Sequence, residues 1–490
     1  VRRRVDGSSG GQTMGGFAEY ESYDALGLAA LAKAGEVSAA EVLEAAIARV
    51  SERNPAINAV VMELYDHAAQ AIAAGLPDGP LKGVPFLLKD LGSALAGART
   101  ARGSRFFADL PPATEDSVHV TRLKQAGMVI YGKTSTCELG PSLTCEPQLY
   151  GPSRNPWDLE RTPAGSSGGA SAAVSARMLP IAHASDGFGS IRAPAASCGL
   201  VGLRPTRARN TMAPYFGESL GGLAIEHAVS LTVRDSAALL DATSGPAPGD
   251  PYIAPPPARP FLEEVGADPG TLRVAFTSRA PNDAPVAAES LRVLQETASL
   301  CEDLGHQVAE ADPAIDRADV IPTFRTISAI QILYLLRAHP SGRAPAPGEL
   351  ETVVADTARL AETIDGASYM AAVHTAHRIG RQMAAFHADW DVLLTPGLGT
   401  LPPKLGWMDM MMDDLEEYWR RVFNFSPFTV WFNLTGQPAM MIPLGTTESG
   451  FPVAVQAIAR HGDEATLFRL ASQLEEARPW IDRRPAWTTS

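Results

Sequence analysis

Three short stretches of the 490-residue chain carry side chains able to do acyl-transfer chemistry. In Gly165-Ser166-Ser167-Gly168-Gly169, two hydroxyls sit between glycines, directly ahead of the Ala-rich helix former Ala170 to Met178. Glycines opening a helix leave bare N–H groups and a positive dipole end beside those hydroxyls. A flexible linker is the plainer reading, and it fits poorly because an apolar helix follows at once. In Asp186-Gly187-Phe188-Gly189-Ser190-Ile191-Arg192, a serine behind two glycines can present its Oγ next to free backbone N–H groups. That is what a nucleophile with an oxyanion hole needs, although Gly-Ser turns are common. Lys89 closes the apolar run Val84 to Leu88. Desolvation there favours the neutral amine, which can act as a general base. Taken alone, a strand-end lysine more often snorkels to water.

Other matches carry less. Gly127 to Thr134 fits the phosphate-loop pattern G-x-x-x-x-G-K-T letter for letter. The mechanism needs its four variable positions to curl around phosphate, yet Met128, Val129, Ile130 and Tyr131 are a buried-strand quartet. Nucleotide binding at this site remains a distant alternative. His183 lies seven residues before Ser190 in a stretch that reads as strand, Leu179 to Ala184, and is taken as a satisfied core histidine. The elbow G-x-S-x-G is broken at Arg192, so a Ser-His-Asp hydrolase is not supported. Cys137, Cys145, Cys198 and Cys301 form no C-x-x-C pair and have no histidine at metal spacing. They read as small buried hydrophobes of a reducing, cytoplasmic protein, with neither metal nor cofactor expected.

The elements that must position these groups follow from pattern. Ser38-Ala39-Ala40-Glu41 is a capping box, and the helix it starts is expected to stop at Asn54-Pro55. Short strands are expected at 59–61, 84–88, 128–131 and 390–396, with helices at 67–74 and 118–125. Helix and strand keep alternating, which predicts an α/β fold, a mixed twisted sheet covered by helices on both faces. A stretch at about 313–388 lacks strand alternation and reads as a helical insertion, interrupted by the Pro-rich run His339 to Gly348. Residues 1–21 read as a flexible tail and 22–490 as a single domain. Apolar residues make up 45% of the chain, enough for a core without disulfide or metal. A net charge of −14 argues against nucleic acid as partner, since phosphate neutralisation needs Lys and Arg. No run of 18 uninterrupted apolar residues predicts a membrane span.

Together the motifs resemble the amidase signature family. Its hallmark is a GSSGG core followed 24 residues later by a serine preceding Ile-Arg, here Ser166 and Ser190. Cys198 to Thr206, Gly83-Val84-Pro85 through Lys89-Asp90, Gly132-Lys133-Thr134, Arg154 to Trp157 and Phe432 to Pro438 match as well. The likeness runs from about Ser22 to Pro485 and is strongest to the branch that hydrolyses cyclic nylon dimers and opens carbamates. The resemblance implies the amidase signature fold, with Ser190 as nucleophile, Ser166 bridging it to Lys89, and a cis Gly165–Ser166 peptide. It further implies an oxyanion hole from the N–H groups of Gly187, Phe188, Gly189 and Ser190. Phe188 stands where many members have Gly, Cys137 where a Pro is common and Ser135 where an Asn is common, which bears on substrate preference. A second branch, the A-type amidotransferase subunit acting on misacylated tRNA, is the alternative. The helical insertion and the acidity favour a stand-alone enzyme, a monomer or homodimer, acting on a small molecule.

Substrate choice is expected to lie near Trp407 to Phe432, where eight of 26 residues are aromatic and Met408, Met410, Met411 and Met412 join them. Core packing explains such a cluster equally well. As a cleft wall it would suit neutral apolar amides, anilides and nylon-like oligomers, and carbamates too. Asp409, Asp413, Asp414, Glu416 and Glu417 would repel carboxylates if they faced the mouth. Arg207 and Arg209 could orient a carbonyl. Cys137, Arg209 and Trp431 are the expected substrate-binding residues.

Overall fold

The computed structural model describes residues 17 and 19–488. Among the described residues, eleven strands form two sheets. In the smaller, β1 (Val60–Glu63) pairs antiparallel with β3 (Val129–Thr134), and β3 pairs parallel with β2 (Pro85–Lys89). The larger contains β4 (Ile181–Asp186), β5 (Val201–Arg204), β6 (Ile225–Ser230), β7 (Arg273–Phe276), β8 (Gln307–Glu310), β9 (Val392–Pro396), β10 (Ala439–Thr446) and β11 (Pro452–Ala459). Their order is β4-β6-β5-β10-β11-β9-β7-β8. Pairing is antiparallel from β4 through β9 and parallel from β9 to β8. Edge strand β2 lies beside edge strand β4, and that junction brings Lys89 to the serines.

Period-two alternation explains the layering. On β9, Val392 and Leu394 enter one core while Leu393 enters another. Met440 and Ile442 of β10 divide from Met441 in the same way. One core is closed by helices Val233–Thr243, Ala288–Asp303 and Glu464–Ala477. The other is closed by Gly168–Ser175, Arg192–Cys198 and most of the remaining helices. The fold is therefore a mixed α/β sheet with helices on both faces.

Local signals hold with two boundary changes. The capping box at Ser38 and Glu41 is present, with the Ser38 N–H donating to Glu41 Oε2 at 2.8 Å. Its helix does not stop at Asn54-Pro55 but runs Ala39–Ile57. The proline falls in the last turn, where the Ser51 carbonyl loses its helical N–H donor but any kink reaches only the helix end, and Asn54 Oδ1 accepts the Ala59 and Val60 N–H groups at 2.8 Å each. Of the expected N-terminal tail, most lies outside the described residues. Tyr20, however, is buried and donates to the Met178 carbonyl at 2.9 Å, and Glu21 accepts from Arg53 at 2.8 Å. Packed structure therefore begins before Ser22.

The helical stretch resolves into Val320–Arg337, Thr352–Ala361 and Gly366–Asp389. Arg317–Arg337 is, among the described residues, the one helical segment long and apolar enough to cross a membrane. Here Val320–Arg337 packs against the other two helices and forms one wall of a cleft.

Candidate active site

At the β2–β4 junction Lys89 is completely buried, and its backbone N–H donates to His183 Nδ1 at 3.1 Å. Its Nζ lies 2.7 Å from Ser166 Oγ, 2.9 Å from Ser167 Oγ and 3.1 Å from Ser185 Oγ. Burial lowers the amine from the ordinary 10.5 to about 8. Three hydroxyls suit both states: the ammonium donates to all three, while the neutral amine donates to two and accepts from the third.

Ser166 and Ser167 are held by the glycines around them. The Gly165–Ser166 peptide is cis, and a Cβ on Gly165 would lie 1.8 Å from the Thr144 carbonyl oxygen. No side chain fits there, so this segment is tightly packed backbone, not a linker. The Ser167 N–H donates to the Ser190 carbonyl at 3.3 Å, joining the two motifs.

β4 delivers the second motif. Asp186, at its end, accepts the N–H groups of Gly189 at 2.7 Å and Ile191 at 3.2 Å, and Arg192 Nε at 2.9 Å. Burial alone would raise this carboxyl, but the Arg192 charge and these hydrogen bonds hold it well below the usual carboxylate range. Arg192 also reaches the Thr429 carbonyl, Gln456 and Asn433 at 2.6–2.8 Å. Gly189 sits at φ +126° with its N–H turned to Asp186. That leaves three of the four expected oxyanion-hole amides, Gly187, Phe188 and Ser190, with no bond to another described residue. Ser190 itself is 2% exposed.

The cleft at this junction has a volume of about 620 Å³ and reaches Ser166, Ser185, Gly187 and Phe188. Its walls are mostly apolar, with Leu91, Phe107, Leu139, Phe216, Leu220 and Phe324 among them. Phe188 stacks on Phe324 at 4.5 Å and meets Phe423 edge-on at 5.1 Å. From the aromatic segment 407–432, Trp419 and Phe423 back Phe188 from behind, and none of the segment lines the cleft.

Cys137, Arg209 and Trp431 do not line the cleft. Cys137 is buried against the Ser142 carbonyl, Arg209 is paired with Glu464 at 2.7 Å, and Trp431 lies in the core with Arg317 over its ring at 5.0 Å. Arg207 is tied to the carbonyls of Gly222, Asn433 and Leu434. The acidic residues 409–417 also lie away from the cleft. Asp414 caps helix Leu415–Phe425, Glu416 pairs with Arg325, and Glu417 pairs with Arg420 and Arg421.

The sequence reading did not find Ser185, Arg102 or Glu226, all of which line the cleft. Register offers the missing signal for two of them: Ser185 stands directly opposite Glu226 in the β4–β6 ladder, so both project from one face. Glu226 accepts from Ser93 Oγ at 2.7 Å, and burial raises its carboxyl to about 7. His183 is only half satisfied: Nδ1 accepts from Lys89, while Nε2 has no hydrogen-bond partner and lies 3.9 Å from Glu226. The phosphate-loop lookalike is strand β3, as its apolar quartet predicts, and Lys133 Nζ is engaged by Thr100 Oγ1 at 2.6 Å.

Comparison with known proteins identifies the family. The amidase family profile matches residues 41–468. The 6-aminohexanoate-cyclic-dimer hydrolase of Paenarthrobacter ureafaciens is 36% identical over 482 residues, 94% of this chain and 96% of the relative. An acylamidase of Rhodococcus erythropolis is 34% identical over 480 residues, again 94% and 96%. The solved structure of 6-aminohexanoate cyclic dimer hydrolase complexed with substrate superposes with a TM-score of 0.89 at 34% identity, covering 96% of this chain and 99% of that one. A profile spanning most of the chain, and relatives above 30% identity along nearly all of it, mean that this chain belongs to the amidase signature family, hydrolases that cleave amide bonds.

Proposed function

We propose that the protein is a serine amidase acting on bulky apolar amides, including anilides and nylon-like oligomers, and on carbamates. The observation that carries the mechanism is the buried Lys89 amine, 2.7 Å from Ser166 Oγ. Neutral Lys89 takes the Ser166 hydroxyl proton as Ser166 takes that of Ser190. Ser190 Oγ then attacks the carbonyl, and the developing oxyanion faces the free amides of Gly187, Phe188 and Ser190. Such donors contribute about 3–4 kcal/mol each to the transition state. As the tetrahedral adduct collapses, the relay returns the proton to the leaving nitrogen. Water repeats the cycle on the acyl-enzyme, releasing the acid and restoring Ser190. A carbamate presents the same carbonyl, and its hydrolysis yields an alcohol, an amine and carbon dioxide.

The apolar walls of the cleft and the likeness to nylon-oligomer hydrolase and acylamidase support the substrate class. The test is turnover of an anilide and its aryl carbamate analogue by wild type and Ser190→Ala, with mass spectrometry of the stopped reaction. Wild type should gain the mass of the acyl group on the Ser190 peptide, and Ser190→Ala should show neither adduct nor turnover. Turnover in contamination-free Ser190→Ala protein would overturn the mechanism.

A further inference from the structure

Among the described residues one cation, Arg102, lines the cleft, and nothing in the relay uses it. Its guanidinium has no hydrogen bond or ion pair with another described residue; it stacks over Phe107, 4.8 Å from the ring centroid, and feels the charge of Asp90, whose oxygens are engaged by Tyr150 and the Ala101 and Gly103 N–H groups. The arginines around the site behave otherwise. Arg192 is bound to Asp186, Arg207 to three backbone carbonyls and Arg209 to Glu464. Among the described residues, the carboxyl lining the cleft, Glu226, is taken by Ser93 and makes no ion pair with Arg102.

The backbone holds Arg102 in place deliberately. Its φ is +57°, a left-handed conformation uncommon for a residue with a Cβ. Asp90, the neighbour of Lys89, clamps the residues on either side by accepting Ala101 N–H at 3.0 Å and Gly103 N–H at 3.3 Å. The Arg102 carbonyl accepts the Leu139 N–H at 2.8 Å. The next residue, Gly140, lies so close to the relay that a Cβ there would be 3.3 Å from Ser166 Oγ. Arg102 therefore stands one segment of chain away from the reacting centre, with Leu91 and Leu139 among the nearby walls.

We propose that Arg102 receives a carboxylate borne by the substrate at the far end of an apolar chain, so that acid-terminated amides are a preferred substrate class. The assignment rests on the amidase reading above and refines it. A half-buried guanidinium whose hydrogen-bond donors are unused binds carboxylate through charge-assisted, bidentate hydrogen bonds. The carboxylate can lie on the acyl or the amine side of the scissile bond, and two substrate pairs separate these cases. Glutaric acid monoanilide and its methyl ester place it on the acyl side, and N-benzoyl-5-aminopentanoic acid and its methyl ester on the amine side.

In at least one pair wild type should favour the acid in kcat/KM by about ten- to a hundredfold, the range of a hydrogen bond to a charged group. Arg102→Gln should collapse that ratio through KM, and Arg102→Lys should restore part of it. No preference for the acid in either pair, or a ratio unchanged in Arg102→Gln, would overturn the assignment. A merely structural role would lower acid and ester alike and leave the ratio where it was. Calorimetric binding of both acids to Ser190→Ala and to the Ser190→Ala, Arg102→Gln double variant makes the test independent of turnover. If none of the four amides is hydrolysed but binding is lost with Arg102, the amidase reading fails and the carboxylate site stands. Equal binding by the two proteins overturns the site alone.

Discussion

Lys89 should impose a defined pH dependence on catalysis. Burial moves its amine from 10.5 to about 8, a destabilisation of the charged form of roughly 3 kcal/mol. At pH 7 about a tenth of the molecules then hold the neutral base, and at pH 6 about one in a hundred, whereas an unperturbed lysine would supply only a few in ten thousand at pH 7. The base is the deprotonated form, so kcat/KM should climb about tenfold per unit from pH 6 to 7, bend near 8 and level off above it. Glu226 supplies a second check. Its negative charge helps hold the Lys89 proton, so Glu226→Gln should move the bend to lower pH. The assay is the initial rate on a neutral anilide well below KM, from pH 5.5 to 9.5, with single-turnover traces to show that chemistry is being read. A flat profile between pH 6 and 9 would refute the neutral-lysine relay. So would a bend near 7 that disappears in Glu226→Gln, because the titrating group would then be Glu226.

The loop after β4 offers two further tests. A Cβ on Gly189 would lie 2.5 Å from Thr429 Oγ1, at a φ of +126° that alanine rarely adopts. Gly189→Ala should therefore displace the Phe188 and Ser190 amides and lower kcat by about 10²–10³, with an unchanged kcat counting against this oxyanion hole. Asp186→Asn should remove the carboxylate paired with buried Arg192, the only one facing it among the described residues, and cost about 3–5 kcal/mol in urea melts at pH 7. Because Asp186 is held well below the usual carboxylate range, its stabilisation is complete above that range and is lost only as pH falls through its depressed value. The gap between variant and wild type should thus persist at pH 4.5, and a loss under about 1 kcal/mol would refute the pairing.

Several local features were legible because their causes are local. The capping box, the β3 quartet inside the false phosphate loop and the helix Val118–Gln125 each follow from adjacent residues. The 24-residue spacing of Ser166 and Ser190 carried meaning only through the resemblance to the family hallmark; in the fold, β4 joins the two short helices beside them. The assignment of residues 407–432 to the substrate wall failed for a corresponding reason. Aromatic density reports burial, and burial is shared by core and cleft. Helix Leu415–Phe425 turns Tyr418, Trp419 and Phe423 inward, and Phe188 and Phe324 carry that packing to the cleft. Cys137, Arg209 and Trp431 were misplaced likewise: each lies in or near a strong motif, but its side chain points into packing or an ion pair.

Residue type along the chain was enough to mark the candidate groups, because a serine behind glycines, a glycine-flanked serine pair and a lysine in an apolar strand are each written within a few consecutive residues, while the resemblance to the amidase signature family was what joined them. The surroundings of those groups came from the fold alone. The position of Ser185 opposite Glu226 is a matter of strand register. His183 beneath Lys89 depends on two sheet edges meeting. Phe324 reaches the cleft from a helix more than a hundred residues away. Arg102 is the sharpest case. In the sequence it is one arginine among many, and any of them could have been solvated or paired. Only the three-dimensional arrangement leaves this one in the cleft with no hydrogen bond or ion pair to another described residue, since whether a charge is satisfied depends on every group that can reach it, and those groups come from distant parts of the chain.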